Sequence, residues 1–276
     1  MLHKPHGGLC SLIGAALAFG LIIRPSSALA DERSTIRFTD ATRSSGIEFT
    51  MTSGWTPSRQ LLEINGGGVA LIDYDNDGDF DLFFANGATL DDPEHGPGSR
   101  LYANNGDGTF KDVTRQVEIE VTRWAMGVAV GDYNNDGCDD LYITCFGPNV
   151  LLRNECAGPG PKRFVDVSDE AQVADDRWGT SAAFADLDGD GDLDLYVVNY
   201  LEFDVDHLPV FGQRKFLGVP VMAGPAGLTP QGDVLYENLG DGTFRDITIQ
   251  SGCAPEKPKY GLGVVVLDLD NNATQD

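Results

Sequence analysis

Apolar residues in this chain fall in short runs broken by polar, glycine-rich turns, and one such pattern returns along the chain. The first unit reads GGGVALIDYDNDGDFDLFFANG (66–87) and then LYANNGDGTFKDVT (101–114). A second reads WAMGVAVGDYNNDGCDDLYITCFG (124–147) and LLRNECAGPGPKRFVDVS (151–168). The third reads WGTSAAFADLDGDGDLDLYVVNY (178–200) and LYENLGDGTFRDIT (235–248), and a fourth begins as YGLGVVVLDLDNNATQD (260–276). Repeats therefore cover about 64–114, 124–168, 178–248 and an incomplete 260–276. The aspartates opening the acidic loops, Asp73, Asp132, Asp186 and Asp268, are 59, 54 and 82 residues apart. A Pro- and Gly-rich insert over 202–232, expected as a surface loop, lengthens the last gap. A period this long is the mark of a repeat architecture.

Each unit predicts four short strands. The first is apolar and small (69–72, 128–130, 182–185, 264–267), and the second follows the acidic loop (82–85, 141–144, 195–198). A Leu-Tyr or Leu-Leu pair marks the third, and NNGDGTF or NLGDGTF turns into the fourth. Asn-Gly and Asp-Gly suit hairpin turns, where φ must be positive. No segment past the first thirty residues keeps a 3.6-residue apolar period, so helices should be few. The pattern predicts an all-β protein of β-propeller-type, four-stranded blades, about three complete and others partial, in an incomplete propeller. IRFTDATRSSGI (36–47) matches the closing strands FKDVT, FVDVS and FRDIT, so the chain is expected to open on the last strand of another blade. Trp124, Trp178 and Tyr260 stand eight residues before their loop-opening aspartates and are expected to pack between blades.

Residues 1–30 are expected to be a leader rather than fold. Lys4 precedes an apolar run from Leu9 to Ile23, and Ala-Leu-Ala at 28–30 reads as a secretory cleavage site. The run has 15 residues, short of the roughly 20 that span a bilayer. Residues 31–276 form the repeat region, expected to be secreted (extracellular or periplasmic) and not inserted in a membrane. The formal charge of −24 becomes −26 once Lys4 and Arg24 are gone. Such a balance argues against nucleic acid and anionic membranes as partners. Of Cys138, Cys145, Cys156 and Cys253, the pair Cys145–Cys156 is a reasonable bridge at the ends of neighbouring strands; no C-x-x-C is present.

The acids are concentrated: 17 of 43 lie in four nine-residue stretches. Loop one has Asp73, Asp75, Asp77 and Asp81 at positions 1, 3, 5 and 9, with Gly78 at 6 and Asp79 at 7. Loop two has Asp132, Asn134, Asp136 and Asp140, with Gly137 and Cys138. Loop three has Asp186, Asp188, Asp190 and Asp194, with Gly191 and Asp192. Loop four has Asp268, Asp270, Asn272 and Asp276, but Ala273 replaces the glycine, which marks a degraded site. Alternate side chains of a curling loop point inward, and position 7 is expected to offer its carbonyl. Two carboxylates about 5 Å apart repel by roughly 3 kcal/mol at an effective dielectric near 20. The alternative, a solvated acidic turn, would have to carry several such pairs. Hard oxygen donors select Ca²⁺ over transition metals, and Mg²⁺ prefers to keep its waters. Position 12 is Phe84, Ile143 or Val197 rather than Glu, which excludes an EF-hand.

Together, GDYNNDGCDDLYIT, LYANNGDGTFKDVT and MAGPAGLTPQGDVLYENLGDGTFRDIT resemble the FG-GAP/VCBS-repeat family of cartilage acidic protein and UnbV, over nearly all of 36–276. The resemblance implies an extracellular, Ca²⁺-loaded propeller followed by an ASPIC/UnbV segment. That segment is missing from this sequence, and about four blades are needed to close a ring. The chain is accordingly expected to be a truncated product or fragment.

Repeated metal loops without a repeated catalytic group point to a binding or adhesion module for an extracellular protein or glycan. An enzyme, such as a hydrolase or a quinone-dependent oxidoreductase, is the alternative. It would have to use His95 or His207, both in loops, and no G-x-S-x-G is present. A lectin would use Trp55, which lies outside the repeat.

Overall fold

The structure is a computed structural model that describes residues 37–54, 56, 60–158, 160–208, 214–221, 224–225, 227–272 and 274–275. The chain divides into two compact units, Met1–Asp40 and Ala41–Asp276. In the first, the described residues 37–40 form no regular element, and the expected leader lies outside the described residues. In the second, the described residues hold one single-turn helix, α1 (Leu61–Ile64), and are otherwise β and turn.

The predicted blades are present as three four-stranded antiparallel sheets. The first is β1 (Val69–Ile72), β2 (Asp81–Phe84), β3 (Arg100–Asn104) and β4 (Phe110–Asp112), in that order. The second is β5 (Ala125–Gly131), β6 (Asp140–Cys145), β7 (Val150–Asn154) and β8 (Phe164–Asp166). The third begins with β9 (Gly179–Ala185) and β10 (Asp194–Asn199). The hairpin β11 (Arg214–Phe216) and β12 (Val219–Val221) intervenes, and β13 (Val234–Asn238) and β14 (Phe244–Asp246) complete the sheet. Strand order equals chain order in each sheet, as in a blade. No closed sheet occurs among the described residues.

Period-2 alternation turns these sheets into a stack. On β6, Leu141, Ile143 and Cys145 face a core shared with Ile72, Phe83 and Leu101 of the first sheet. Tyr142 points the other way, into a core shared with Leu195, Val197 and Tyr236 of the third. All six residues of β6 are buried for this reason, while β2 alternates buried and half-buried. The first strands β1, β5 and β9 stand side by side. Their approach needs a small residue: a Cβ on Gly127 would stand 2.8 Å from the Thr180 carbonyl oxygen. A third core holds Trp124 and Trp178 with Leu62, Met126, Tyr200 and Phe203. Trp178 meets Phe146 and Tyr200 edge-on, at ring separations of 5.5 and 5.1 Å. Both tryptophans therefore pack as expected. Tyr260 is partly exposed at 37%, lies 6.0 Å from the Tyr200 ring and donates to the Leu228 carbonyl.

The closing motif D-[VI]-[ST] has a consistent geometry. Asp112, Asp166 and Asp246 accept from the backbone N–H two residues on. The hydroxyls of Thr114, Ser168 and Thr248 accept from the N–H of Leu101, Leu151 and Leu235, fastening β4-type to β3-type strands. The turns that follow residues 40–42, 112–114 and 166–168 then join the next unit. Ser45, Val117 and Ala171 carbonyls accept from the N–H of Phe110, Phe164 and Phe244.

Four expectations need correction. The turn over 41–45 is present, but residues 37–40 form no strand; no β3-type strand stands among the described residues to pair them. Residues 264–267 are likewise not a strand, since the hairpin partner would follow the Asp268 loop. Gly261 nevertheless donates to the Asn199 carbonyl, as Ala125 does to that of Asn86. The insert over 202–232 carries a hairpin of its own, turning at Leu217 and Gly218, both with positive φ. Finally, the disulfide is Cys138–Cys156, and Cys145 is a buried free thiol. Antiparallel pairing of Leu141 with Leu152 and Ile143 with Val150 puts the end of β7 beside the start of β6. Cys156 thus meets the loop before β6, far along the strand from Cys145.

Candidate metal centre

Each acidic loop links the first two strands of its sheet, and its curl is written in side-chain-to-backbone hydrogen bonds. At position 1, Asp73 accepts from the N–H of Asp77 and Gly78, both at 3.0 Å. Asp132 accepts likewise from Asp136 and Gly137. Asp186 accepts from Gly189 and Gly191, one residue tighter at its first contact. Position 5 accepts from position 7 at 2.9 Å in all three loops: Asp77 from Asp79, Asp136 from Cys138 and Asp190 from Asp192. The glycines at position 6 have φ of 90°, 84° and 96°, which only glycine adopts without strain. Loop four begins the same way, with Asn272 N–H on Asp268. Ala273 and Asp276 lie outside the described residues.

Two of the loops converge their carboxylates. Oxygens of Asp73, Asp75 and Asp81 lie within 4.8 Å of one another, as do those of Asp186, Asp188 and Asp190. These two groups could hold a metal ion. Asp77 and Asp194 fall outside them, and loop two forms no such trio because Asn134 takes the third position. Its amide instead donates to Asp136 at 3.1 Å. In loop one, the Asp75 Oδ1 is buried without a hydrogen-bond partner. Burial, then the charges of Asp77 and Asp73, raises the Asp75 carboxyl above its ordinary value. Burial pushes Asp81 up to about 6 and Asp140 up to about 8, against the hydrogen bonds they accept. An orphaned, buried carboxylate oxygen among carboxylates is a donor set that a hard cation fits.

Position 9 does a second job. Asp81 accepts the Tyr74 N–H on one oxygen and the Asn104 N–H on the other. Asp140 does so with Tyr133 and Asn154, and Asp194 with Leu187 and Asn238. The asparagines closing the third strands, unused in the sequence reading, join neighbouring units. Asn154 donates from its amide to the Tyr74 carbonyl (2.9 Å) and Asn238 to that of Tyr133 (2.8 Å). At position 4, Asn76 donates to the Gly137 carbonyl and Asn135 to Asp192. The repeated final Asn of LYAN, LLRN and LYEN was the available sign.

The two described histidines form a repeated feature, too. His95 Nδ1 lies 2.8 Å from Asp92, and His207 Nδ1 lies 2.8 Å from Asp204, in the connections before β3 and β13. Each imidazole is exposed and raised above its ordinary pKa, first by that hydrogen bond. Neither joins a group of three metal-ligating side chains among the described residues. Trp55 lies outside the described residues.

Stacked four-stranded sheets with a D-x-[DN]-x-D-G-x-x-D loop between their first strands define a propeller-type repeat, and the family model for the FG-GAP-like repeat matches residues 73–143 and 146–197. The chain carries FG-GAP-like repeats. It is related to cartilage acidic protein 1, being 32% identical over 136 residues to the protein of Xenopus tropicalis, which covers 49% of this chain and 20% of that relative. The proteins of Mus musculus and Homo sapiens are 29% and 28% identical over 189 residues, covering 67% of this chain and 25% and 24% of theirs. The chain thus spans a fifth to a quarter of the length of these relatives. Among the described residues no helix is long and apolar enough to cross a membrane.

Proposed function

We propose that this chain is a secreted, calcium-binding propeller module, in which the ion shapes the acidic loops and the outer loops meet an extracellular protein or glycan. The observation that carries the calcium reading is the orphaned Asp75 Oδ1 within the Asp73–Asp75–Asp81 trio. Asp73, Asp75 and Asp81 would hold one ion, and Asp186, Asp188 and Asp190 another. Bound there, Ca²⁺ supplies the positive charge that offsets carboxylate repulsion. The side chains at positions 1 and 5 keep the curl by accepting backbone N–H groups. Oxygen-only donors and a flexible loop favour Ca²⁺ over Mg²⁺. A disulfide and a leader-like N-terminus support export.

Calorimetry of Ca²⁺ added to metal-stripped protein tests the reading. Binding heat and a rise in melting temperature are expected, with Asp75→Asn losing one site and Asp188→Asn another. Absence of both heat and thermal shift in the parent protein would sink the proposal. Sequencing the N-terminus of exported protein checks the leader, with Asp31 expected first.

A further inference from the structure

The second unit breaks the repeat at two places that turn out to be one. Positions 79, 138 and 192 are equivalent, as are 106, 156 and 240. In the first unit the Asp79 carboxylate rests on the turn glycine: a Cβ on Gly106 would stand 3.0 Å from its oxygen. In the third unit a Cβ on Gly240 would stand 2.7 Å from Asp192. In the second unit the same two positions are Cys138 and Cys156, and a disulfide joins them.

The turn that carries the second position differs in the same unit. The turns NNGDGTF and NLGDGTF are locked internally, by Asn105 N–H on the Thr109 carbonyl and Leu239 N–H on that of Thr243. Asp107 and Asp241 reinforce them by accepting from Thr109 and Thr243. The second unit has instead the longer NECAGPGPKRF (154–164), which keeps the equivalent backbone bond, Glu155 N–H on the Arg163 carbonyl, but lacks the Asp-Gly-Thr reinforcement.

We propose that the Cys138–Cys156 disulfide orders loop two covalently, without a cation, whereas loops one and three depend on an ion to hold their curl. The disulfide also lies at a junction between units, since Asn76 of loop one donates to both the Gly137 carbonyl and the Cys156 sulfur. Loop two therefore offers loop one a fixed abutment. A covalent link of this kind holds the loop in one arrangement without help from a ligand. The proposal rests on the calcium reading only for the ion that loops one and three need. Breaking the disulfide requires an external dithiol: one thiolate attacks a sulfur of the disulfide and releases one cysteine thiolate, and the second attacks the mixed disulfide and releases the other. Two electrons and two protons pass to the cysteines, and the reagent leaves as a cyclic disulfide.

Amide hydrogen exchange on metal-stripped protein tests this. The N–H groups of Gly137 and Cys138 make the same bonds as those of Gly78 and Asp79 or Gly191 and Asp192. With the disulfide intact, loop two is expected to exchange at least tenfold more slowly than loops one and three. Dithiol reduction removes the difference. So does the double variant Cys138→Asp, Cys156→Gly, which installs the pair used by the other units. Equal exchange in all three loops before reduction overturns the proposal, as does a difference that survives reduction. If the double variant does not fold, the reduced parent protein decides. Added Ca²⁺ separates the two readings: failure to slow loops one and three overturns the calcium reading and the ion dependence of those loops, whereas the metal-free comparison alone decides whether the disulfide orders loop two.

Discussion

Truncating Asn154 to alanine removes two amide donations, to the Tyr74 carbonyl in the neighbouring unit and to the Asp139 carbonyl in its own. Asn154 is fully buried, so neither carbonyl regains water without opening the sheets. Leaving such a group unmatched costs about 1–3 kcal/mol. The substitution also deletes the Asn154 Oδ1, a buried acceptor with no partner, which offsets about 1 kcal/mol. With each of the two carbonyls taken at about 1.5 kcal/mol, the net loss is about 2 kcal/mol, or a fall in melting temperature of roughly 4–8 °C for a domain this size. The repeat supplies its own controls. Asn238 makes the equivalent bonds to Tyr133 and Leu193, and its Oδ1 is occupied by the Gly240 N–H. Asn238→Ala should therefore cost about 3 kcal/mol. Asn104 reaches only Phe80 and Gly106, at an exposed edge, and Asn104→Ala should cost under about 1 kcal/mol. Urea and thermal unfolding followed by circular dichroism, all in one calcium-containing buffer, measure the series. If Asn154→Ala shifts the midpoint no further than Asn104→Ala, the bonds between units contribute nothing and the reasoning fails.

Tyr142→Phe removes a buried hydroxyl that donates to the Val173 carbonyl at 2.8 Å and accepts from Asn149 at 3.1 Å. The same unfolding assay should register a loss of about 1–3 kcal/mol, and an unchanged midpoint would refute it. A thiol alkylating reagent applied to native protein should modify the exposed Cys253 and spare Cys145, whose thiol burial pushes up to about 12; mass mapping that finds Cys145 labelled first would contradict this. Metal-stripped protein should lose stability as pH rises from about 4 to about 8. Asp81 and Asp140 hold their protons more tightly folded than unfolded, so their contribution is complete below the ordinary carboxyl range and vanishes through about 6 and about 8. Saturating Ca²⁺ should reduce that fall by holding Asp81 ionised, and a flat or rising midpoint in the stripped protein would refute the reasoning.

Blade strands, acidic loops and glycine turns were legible because each follows from residues close in the chain. Alternation of Leu141 to Ile143 fixes the two faces of a strand, and Gly78, Gly137 and Gly191 announce the positive φ that a nine-residue curl needs. The asparagine bonds were less legible, because a repeated Asn says that something is constant without saying to what it bonds. The tryptophans were placed correctly as packing residues, since a large apolar ring at a fixed offset has few other uses. Disulfide pairing was misread because it depends on which ends of two antiparallel strands are adjacent, which the register of β6 on β7 decides.

Local chemistry alone therefore determined where the strands of the three sheets fall, the glycine turns and the oxygen-only donor set of the acidic loops, while 37–40 and 264–267 show that a strand also needs its partner. Tertiary packing decided the rest: which carboxylates converge, since Asp81 joins its trio and Asp194 does not, and which cysteines meet. It also decided that β6 would be buried on both faces. The reason is physical. Hydrogen bonds within a turn span a few residues and are encoded by them, whereas the distance between two units is set by every side chain packed between.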